Sequence, residues 1–298
     1  ALVTEGAVLQ AQDVQQQYAT LTVSTQKNIG LDFTTAQMTM SLDDFSDLVI
    51  KPRVSQLAAT IDADVATAFK YIGNSVGTPG TTPATSAVLL AAGQKLNENA
   101  AMMSPRYATV NPAANAGLVE GMKGLFNPTG TIAKQFKSGM MGEGILGLDE
   151  INMSQSISSF TTGSRSAGAT VTTTVSTQGQ TTIAITTNGA TDTIKLGDVF
   201  TIANVYAVNP QTRQSTGSLY QFVALADATA SGSAVTVTVP AMYTASNALA
   251  TIDAFPQAAA AITWVGSAST AYPQNLIYHK DAITFATADL VLPKGNGT

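Results

Sequence analysis

The chain has 298 residues, of which 11% are charged and 45% apolar, and its formal net charge is −5. A globular chain ordinarily carries about 25% charged residues, so this one is short of solvating groups and is expected to hide part of its surface between subunits. The acidic balance excludes a dedicated nucleic-acid grip, which needs a basic stripe. The absence of cysteine excludes disulfides and thiolate metal sites, and a single histidine excludes a histidine cluster. No apolar run of about 18 residues is present, so a membrane-spanning helix is not expected. Residues Ala1 to Gln10 lack the basic start and apolar run of a secretory leader.

Taken in chain order, residues 1 to 40 read as extended, with alternation from Tyr18 to Val23 and again at Ile29, Leu31 and Phe33. Ser41-Leu42-Asp43-Asp44-Phe45 offers a Ser cap and early acids for a helix. Pro52 interrupts that helix and suits a fresh first turn. Val54, Leu57, Ala58, Ile61, Val65, Ala68, Phe69 and Ile72 then mark one apolar face of a long helix, stopped at Gly73-Asn74. Gly77-Thr78-Pro79-Gly80 is a loop. A second helix is expected from about Pro83 to Ala100, with Val88, Leu89, Ala92 and Leu96 on one face. A short strand follows over Tyr107 to Val110, and Asn111-Pro112 opens a helix through Leu118, Val119 and Met122. Gly139 to Gly147 reads as a glycine-rich loop, and Ile151 to Ile157 as extended.

Composition changes near Gly163. From Ser164 to about Trp264 the chain is dense in Thr, Ser, Val, Ala and Gly, which predicts a compact all-β unit. Its expected strands are Val171–Val175, Thr182–Thr186, Val199–Val205, Tyr220–Leu225 and Val235–Val239. Turn signals at Gln178-Gly179, Asn188-Gly189 and Ser231-Gly232 separate them. Asn275 to Tyr278 and Ala282 to Val291 return to strand-like patterns that can rejoin the earlier core.

The residues that resemble chemistry are better explained structurally. Gly139-Met140-Met141-Gly142-Glu143-Gly144 contains G-x-x-G-x-G, but a phosphate cradle needs a strand before it and a helix after it, and Ile145-Leu146 follow instead. His279 has no strained G-x-S-x-G nucleophile to serve; Gly217-Ser218 and Gly266-Ser267 read as turns. Asp43, Asp44 and Asp47 suit a helix start, and Asp62 and Asp64 a solvated helix face. A glycosidase pair would need an aromatic-rimmed cleft, and aromatics are 6% of the chain with one Trp, Trp264. Lys51 with Arg53, and Lys134 with Lys137, lack the aromatic interleaving of a nucleic-acid surface. No catalytic, cofactor-binding or metal residue is therefore expected, and no enzyme.

The order of parts resembles the tailed-phage major capsid proteins of the Hong Kong 97 fold, in the short-tailed phage branch whose coat proteins carry a β-rich insertion. The resemblance lies in Ser41 to Phe45, the helix after Pro52 ending in Gly77 to Gly80, Val110-Asn111-Pro112, Gly142 to Asp149, and Phe160 to Gly163. It continues in Gly197 to Val205, Val208-Asn209-Pro210, Gln221-Phe222-Val223, Asn275 to Ala282 and Leu292-Pro293. It implies an α+β fold: residues 1–33 as the arm of an elongated loop, 34–82 as a peripheral domain with a spine helix, and 83–163 as an axial domain. Residues 164–262 become an inserted all-β domain, and 263–298 strands that return to the axial and peripheral core. Relatives also begin with an N-terminal arm and the outgoing half of the loop, and continue past Leu292-Pro293 with further strands; this sequence displays neither.

The implied function is a major capsid protein that assembles into an icosahedral shell of hexamers and pentamers around a double-stranded DNA genome. The implied partners are other copies, a scaffolding protein, a portal and packaged DNA touched without specificity, with no membrane. The implied place is the virion, after assembly in the host cytoplasm. Some proteins of this fold form a Lys–Asn isopeptide cross-link; Lys27 is the donor such a bond would use and is read as an ordinary surface lysine. The rival readings are the shell of a cellular nanocompartment with the same fold, a β-rich adhesin and, last, a hydrolase.

Overall fold

A computed structural model describes residues 6, 11, 20–30, 46–122 and 137–288. Among them, the residues up to Val65 and from Asp281 form one compact unit, and Ala66–Lys280 the other.

In the first unit a π-helical turn, Ser46–Ile50, runs directly into helix α1, Lys51–Ala66. The helical path is not broken at Pro52 as expected, because Pro52 is the second residue of α1, where a missing N–H costs no intrahelical bond. The expected apolar face exists, but nothing in α1 is buried: Val54 is 59% exposed, and Leu57 and Ile61 are half-buried. Residues 27–30 are tied to this helix. Lys27 pairs with Asp64 and donates to the Thr60 carbonyl at 3.3 Å, while Arg53 Nη1 donates to the Gly30 carbonyl at 2.7 Å. The strand expected around Thr20 to Val23 is absent over its described part; Leu21 and Val23 stand exposed, since an alternating pattern makes a strand only where a ladder partner exists. Tyr18, Leu31, Phe33 and Ser41 to Phe45 lie outside the described residues.

In the second unit the helical path tightens into a 3₁₀ turn, Thr67–Tyr71, and ends with Ile72 in extended geometry. Phe69 is the one buried residue of that turn. Thr78 to Thr81 forms a β-turn closed by Thr81 N–H to the Thr78 carbonyl at 3.0 Å. Pro79 fixes its first corner, and Gly80 supplies the positive φ that the second corner of a type II turn requires. Helix α2 covers Ser86–Glu98 and buries Leu89 and Ala92. Helix α3 covers Pro112–Gly121; Asn111 caps it, its Oδ1 accepting from Ala114 N–H at 2.9 Å.

A four-stranded mixed sheet lies against these helices. It is built from β1 (Arg106–Val110), β2 (Gly142–Ile145), β3 (Leu148–Met153) and β14 (Leu276–His279), in the order β14-β1-β3-β2. β1 and β3 are parallel, with α3 and β2 between them in the chain; β14 pairs antiparallel with β1, Ala108 facing Ile277. The expectation that Asn275 to Tyr278 rejoins the earlier core is met here. Leu89, Ala108, Val110, Ala114, Leu118, Leu148 and Ile151 close the core between sheet and helices. Gly139 to Met141 is irregular as expected, but Gly142 to Gly147 is not: β2 and β3 make a hairpin whose turn residues Leu146 and Gly147 both hold positive φ, +57° and +78°, the twist that two-residue hairpins favour. The extended stretch expected to Ile157 ends at Met153. Beyond β14, Lys280–Ala282 is a 3₁₀ turn, residues 284–288 form no strand, and Val291 to Pro293 lie outside the described residues.

The β-rich segment contains β4 (Ser159–Thr161), β5 (Thr170–Val171), β6 (Gln180–Thr186), β7 (Thr193–Ile194) and β8 (Val199–Val208). It continues with β9 (Ser215–Val223), β10 (Ala228–Thr229), β11 (Ala234–Met242), β12 (Ile262–Trp264) and β13 (Ala271–Pro273). They pair as β11-β6-β5, β12-β8-β9, β10-β7 and β13-β4. The inward residues alternate along β6, β8 and β11: Ile183, Ile185, Phe200, Ile202, Val235, Val237 and Val239. Phe200 faces Phe222 across β8 and β9, their rings stacked at 5.5 Å, and Trp264 leans on Phe200 at 5.1 Å. The expected strand over Val171–Val175 stops at Val171, because Val175 N–H turns to the Pro256 carbonyl at 2.9 Å instead.

Candidate functional site

The polar feature with the most convergent geometry is the stem of the β-rich segment. Here the chain enters on β4 and leaves on β13, paired antiparallel with Thr161 opposite Ala271 and Phe160 opposite Tyr272. The pairing continues past the strands. Thr162 N–H donates to the Thr270 carbonyl at 3.1 Å, Ser269 N–H to the Gly163 carbonyl at 3.0 Å, and Thr162 Oγ1 to the Ser267 carbonyl at 2.7 Å. Tyr272 closes the turn between, its hydroxyl accepting from Ser267 N–H at 2.8 Å.

Inside the stem is a buried ion pair, Arg165 with Asp198, whose side chains are 1% and 0% exposed. Asp198 is presented by the turn into β8, where its Oδ2 accepts from Lys195 N–H at 2.8 Å and from Gly163 N–H at 3.1 Å. Arg165 reaches from the incoming chain to the outgoing one: Nη2 donates to the carbonyls of Val265 and Gly266, and the guanidinium lies 5.3 Å from the centre of the Trp264 ring. Gly163 is required here, since a Cβ would strike the Thr193 carbonyl and lie 3.0 Å from Asp198 Oδ2. Burial pushes the Asp198 carboxyl above its ordinary range, opposed by Arg165 and the two N–H donors; burial likewise lowers Arg165. Beside this pair Asp192 accepts from Ser166 N–H and Oγ at 2.9 and 3.0 Å, a second tie between the incoming chain and the turn before β7.

Strand β9 holds the extended segment after the 3₁₀ turn. The Gln221 amide takes the place of a strand partner for Ser75, accepting from Ser75 N–H at 2.8 Å and donating to the Ser75 carbonyl at 2.9 Å. A cavity of about 750 Å³ opens beside the stem, walled by Phe69, Val88, Leu89, Phe160, Val199 and Tyr272 among others.

This arrangement ties the incoming and outgoing chain together. Both Asp198 oxygens are committed to Arg165 and backbone donors, which leaves no open position for a ligand. Among the described residues no group of histidine and acidic side chains is placed to hold a metal ion, and no helix is long and apolar enough to cross a membrane. His279 lies at the end of β14 opposite Arg106. Gly139 to Gly144 leads into a hairpin, so no helix N-terminus follows the G-x-x-G-x-G spacing as a phosphate cradle requires. Asp47 pairs with Lys51 at 2.5 Å along the helix, and Asp64 with Lys27; the structure does not gather these acids around a cleft. Lys137 is exposed, while Asp43, Asp44 and Lys134 lie outside the described residues. Gly266, expected as a plain turn, supplies one of the Arg165 acceptors. Sequence reasoning missed Arg165 and Asp198. The available signal was an arginine two residues after the composition change, in a stretch where charges are rare.

Comparison with known proteins adds the identity of the whole. No curated protein matches the chain. Among solved structures, the one described as "CUS-3 coat protein I-domain" is 27% identical, covering 34% of this chain and 98% of that one, with a TM-score of 0.27. "Capsid structure of the Cyanophage P-SCSP1u" is 12% identical, covering 77% of this chain and 67% of that one, with a TM-score of 0.29. Both superpositions are too loose to carry an argument. The family model described as "P22 coat protein - gene protein 5" matches residues 9–298. On that match the chain belongs to the P22 coat protein family, and its function is that of a phage major capsid protein.

Proposed function

We propose that copies of this chain close into hexamers and pentamers through heterologous contacts, and that these rings join as an icosahedral shell around a double-stranded DNA genome. The family match over residues 9–298 carries this reading. In it the fold is of the Hong Kong 97 type. Residues 1–33 are the arm of the elongated loop, 34–82 the peripheral domain with α1 in its spine helix, and 83–163 the axial domain. Residues 164–262 are an inserted all-β domain and 263–298 the returning strands. The stitching of residues 159–165 to 265–273 supports an insertion, and the pairing of β14 with β1 supports the return. The apolar face of α1, half-buried at most, supports a subunit whose surface is finished by its neighbours.

No catalytic, cofactor or metal residue is assigned. The partners are other copies, a scaffolding protein and a portal, with DNA contacted but not gripped, and assembly takes place in the host cytoplasm. The nanocompartment and adhesin readings have no observation in their favour. Electron microscopy of the full chain, expressed alone and together with its phage's other structural proteins, tests the proposal. Closed shells with five- and six-fold clusters are expected. A monodisperse single subunit under both conditions at high concentration refutes it.

A further inference from the structure

The exposed side of α2 and the residues just past it carry bare apolar groups. Leu90, Gly93, Gln94 and Asn97 fall on one stripe of the helix, beside the strip that buries Leu89 and Ala92. Leu90 is 52% exposed, and just past the helix Met102 and Met103 are 69% and 74% exposed. Leu90, Gly93, Met103, Leu146 and Gly147 line one shallow depression. Gly93 is unexplained by the chain itself: it sits inside a helix, where glycine destabilises, and a Cβ there would meet nothing within 4 Å. Leu146 holds φ +57° in the hairpin turn at the edge of the same depression, a geometry that a leucine rarely adopts.

The charges around this face are spent internally. Glu98 is held by Lys95 at 3.3 Å and by Gln94 at 2.7 Å, and the Arg106 guanidinium is turned inward onto the carbonyls of Ala101 and Met102. The patch, which also carries the neutral amides Gln94 and Asn97, therefore sets no uncommitted charge toward DNA or an acidic partner, and its electrostatic complement is another uncharged surface. A chain with 11% charged residues supplies such surfaces on its own copies.

We propose that the Leu90–Gly93–Met102–Met103 face is a contact between two copies of this chain, with Gly93 left bare so that a neighbour's side chain can enter the depression. Methionine suits the task, since its unbranched thioether adapts to slightly different neighbours, as repeated contacts in a curved shell demand. The inference rests on the coat-protein reading but goes beyond it by fixing one surface.

Methionine oxidation reads this face directly. Particles and dissociated subunits of the unaltered chain are treated with hydrogen peroxide, and sulfoxide is followed by peptide mass spectrometry. Met102 and Met103 are expected to oxidise at least about tenfold more slowly in particles than in free subunits, while the buried Met141 and Met242 stay slow in both. Equal rates at Met102 and Met103 in the two states overturn the proposal and leave the coat reading intact. Gly93→Leu gives an independent reading. The free subunit should unfold no more easily than the unaltered one, yet assemble at least about tenfold less, because the new side chain fills the neighbour's space. Normal assembly of Gly93→Leu overturns the proposal. If the unaltered chain forms no particles at all, the coat reading itself falls, and this inference with it.

Discussion

Replacing Arg165 by leucine tests the stem most sharply. The substitution leaves Asp198 buried without its counter-ion, and with side-chain exposures of 1% and 0% neither group has solvent to fall back on. Breaking such a pair from one side costs about 3–5 kcal/mol; the N–H donors of Gly163 and Lys195 remain on the carboxylate and place the expected loss near 3 kcal/mol. The double change Arg165→Leu with Asp198→Leu removes both charges; it strands the Gly163 and Lys195 N–H groups at about 1–3 kcal/mol each, while the Val265 and Gly266 carbonyls are stranded in the single change as well, so it should cost less than the two single changes summed. The chain carries its own reporter, because its single tryptophan, Trp264, lies under the Arg165 guanidinium. In urea titrations of dissociated subunits followed by Trp264 fluorescence, a loss of about 3 kcal/mol at a slope near 2 kcal/mol/M moves the midpoint down by about 1.5 M.

The pH dependence of this loss has a definite sign. Burial raises the Asp198 pKa in the folded chain. A raised carboxyl binds its proton more readily folded than unfolded, so its contribution to stability is greatest in acid and declines as pH rises through the folded value. Removing Arg165 removes the main opposing influence, so the deficit of Arg165→Leu should be small near pH 4, the ordinary range of an aspartate, and largest at neutral pH. A single variant that unfolds within about 0.5 kcal/mol of the unaltered chain, or a double variant as unstable as the two singles summed, refutes the reasoning.

Three further outcomes follow from the same geometry. Gly163→Ala should cost about 1–3 kcal/mol by forcing the incoming chain off the Thr193 carbonyl, read as a lowered urea midpoint; an unchanged midpoint means that the close approach is not needed. Gln221→Ala removes both hydrogen bonds to Ser75, a loss of about 1–3 kcal/mol, and should open residues 73–82 to limited proteolysis; a protease pattern like that of the unaltered chain contradicts this. Asp227 is held below the ordinary carboxylate range by the Leu196 N–H, then by Lys195, so its support is present at neutral pH and lost as pH falls through its folded value. Asp227→Asn should therefore cost up to about 1 kcal/mol at pH 7, a modest figure because the side chain is 62% exposed, and nothing near pH 2; a pH-independent difference contradicts the assignment.

What could be read from residues alone was whatever local pattern dictates. β6, β8, β9 and β11 were legible because inward residues such as Ile183, Ile185, Val235 and Val237 alternate with threonine and the turns between carry glycine. The two-residue strands β7 and β10 were not, since Thr193–Ile194 and Ala228–Thr229 are strands only through each other. The β2–β3 hairpin was hidden by its glycines, and Leu146 gave no hint of its positive φ. Arg165 and Asp198 lie 33 residues apart with no period linking them; their meeting depends on where β8 begins relative to the incoming chain. The apolar stripe of α1 was legible as a pattern, but its lack of burial was not, because periodicity says which side is apolar and nothing about who covers it.

The side-by-side arrangement of β4 and β13 also decides how the β-rich segment experiences force. Strain transmitted along the backbone from either flank pulls Ser159 and Pro273 apart at one end of an antiparallel pair, so the rungs load one at a time, like a zipper, and not together in shear. Tension arriving along these two flanks is spent on those first rungs before it reaches Arg165 and Asp198. Two side-chain anchors outside the pair, Gln221 on Ser75 and Asn209 on the Glu98 carbonyl, hold the segment while the first rungs open.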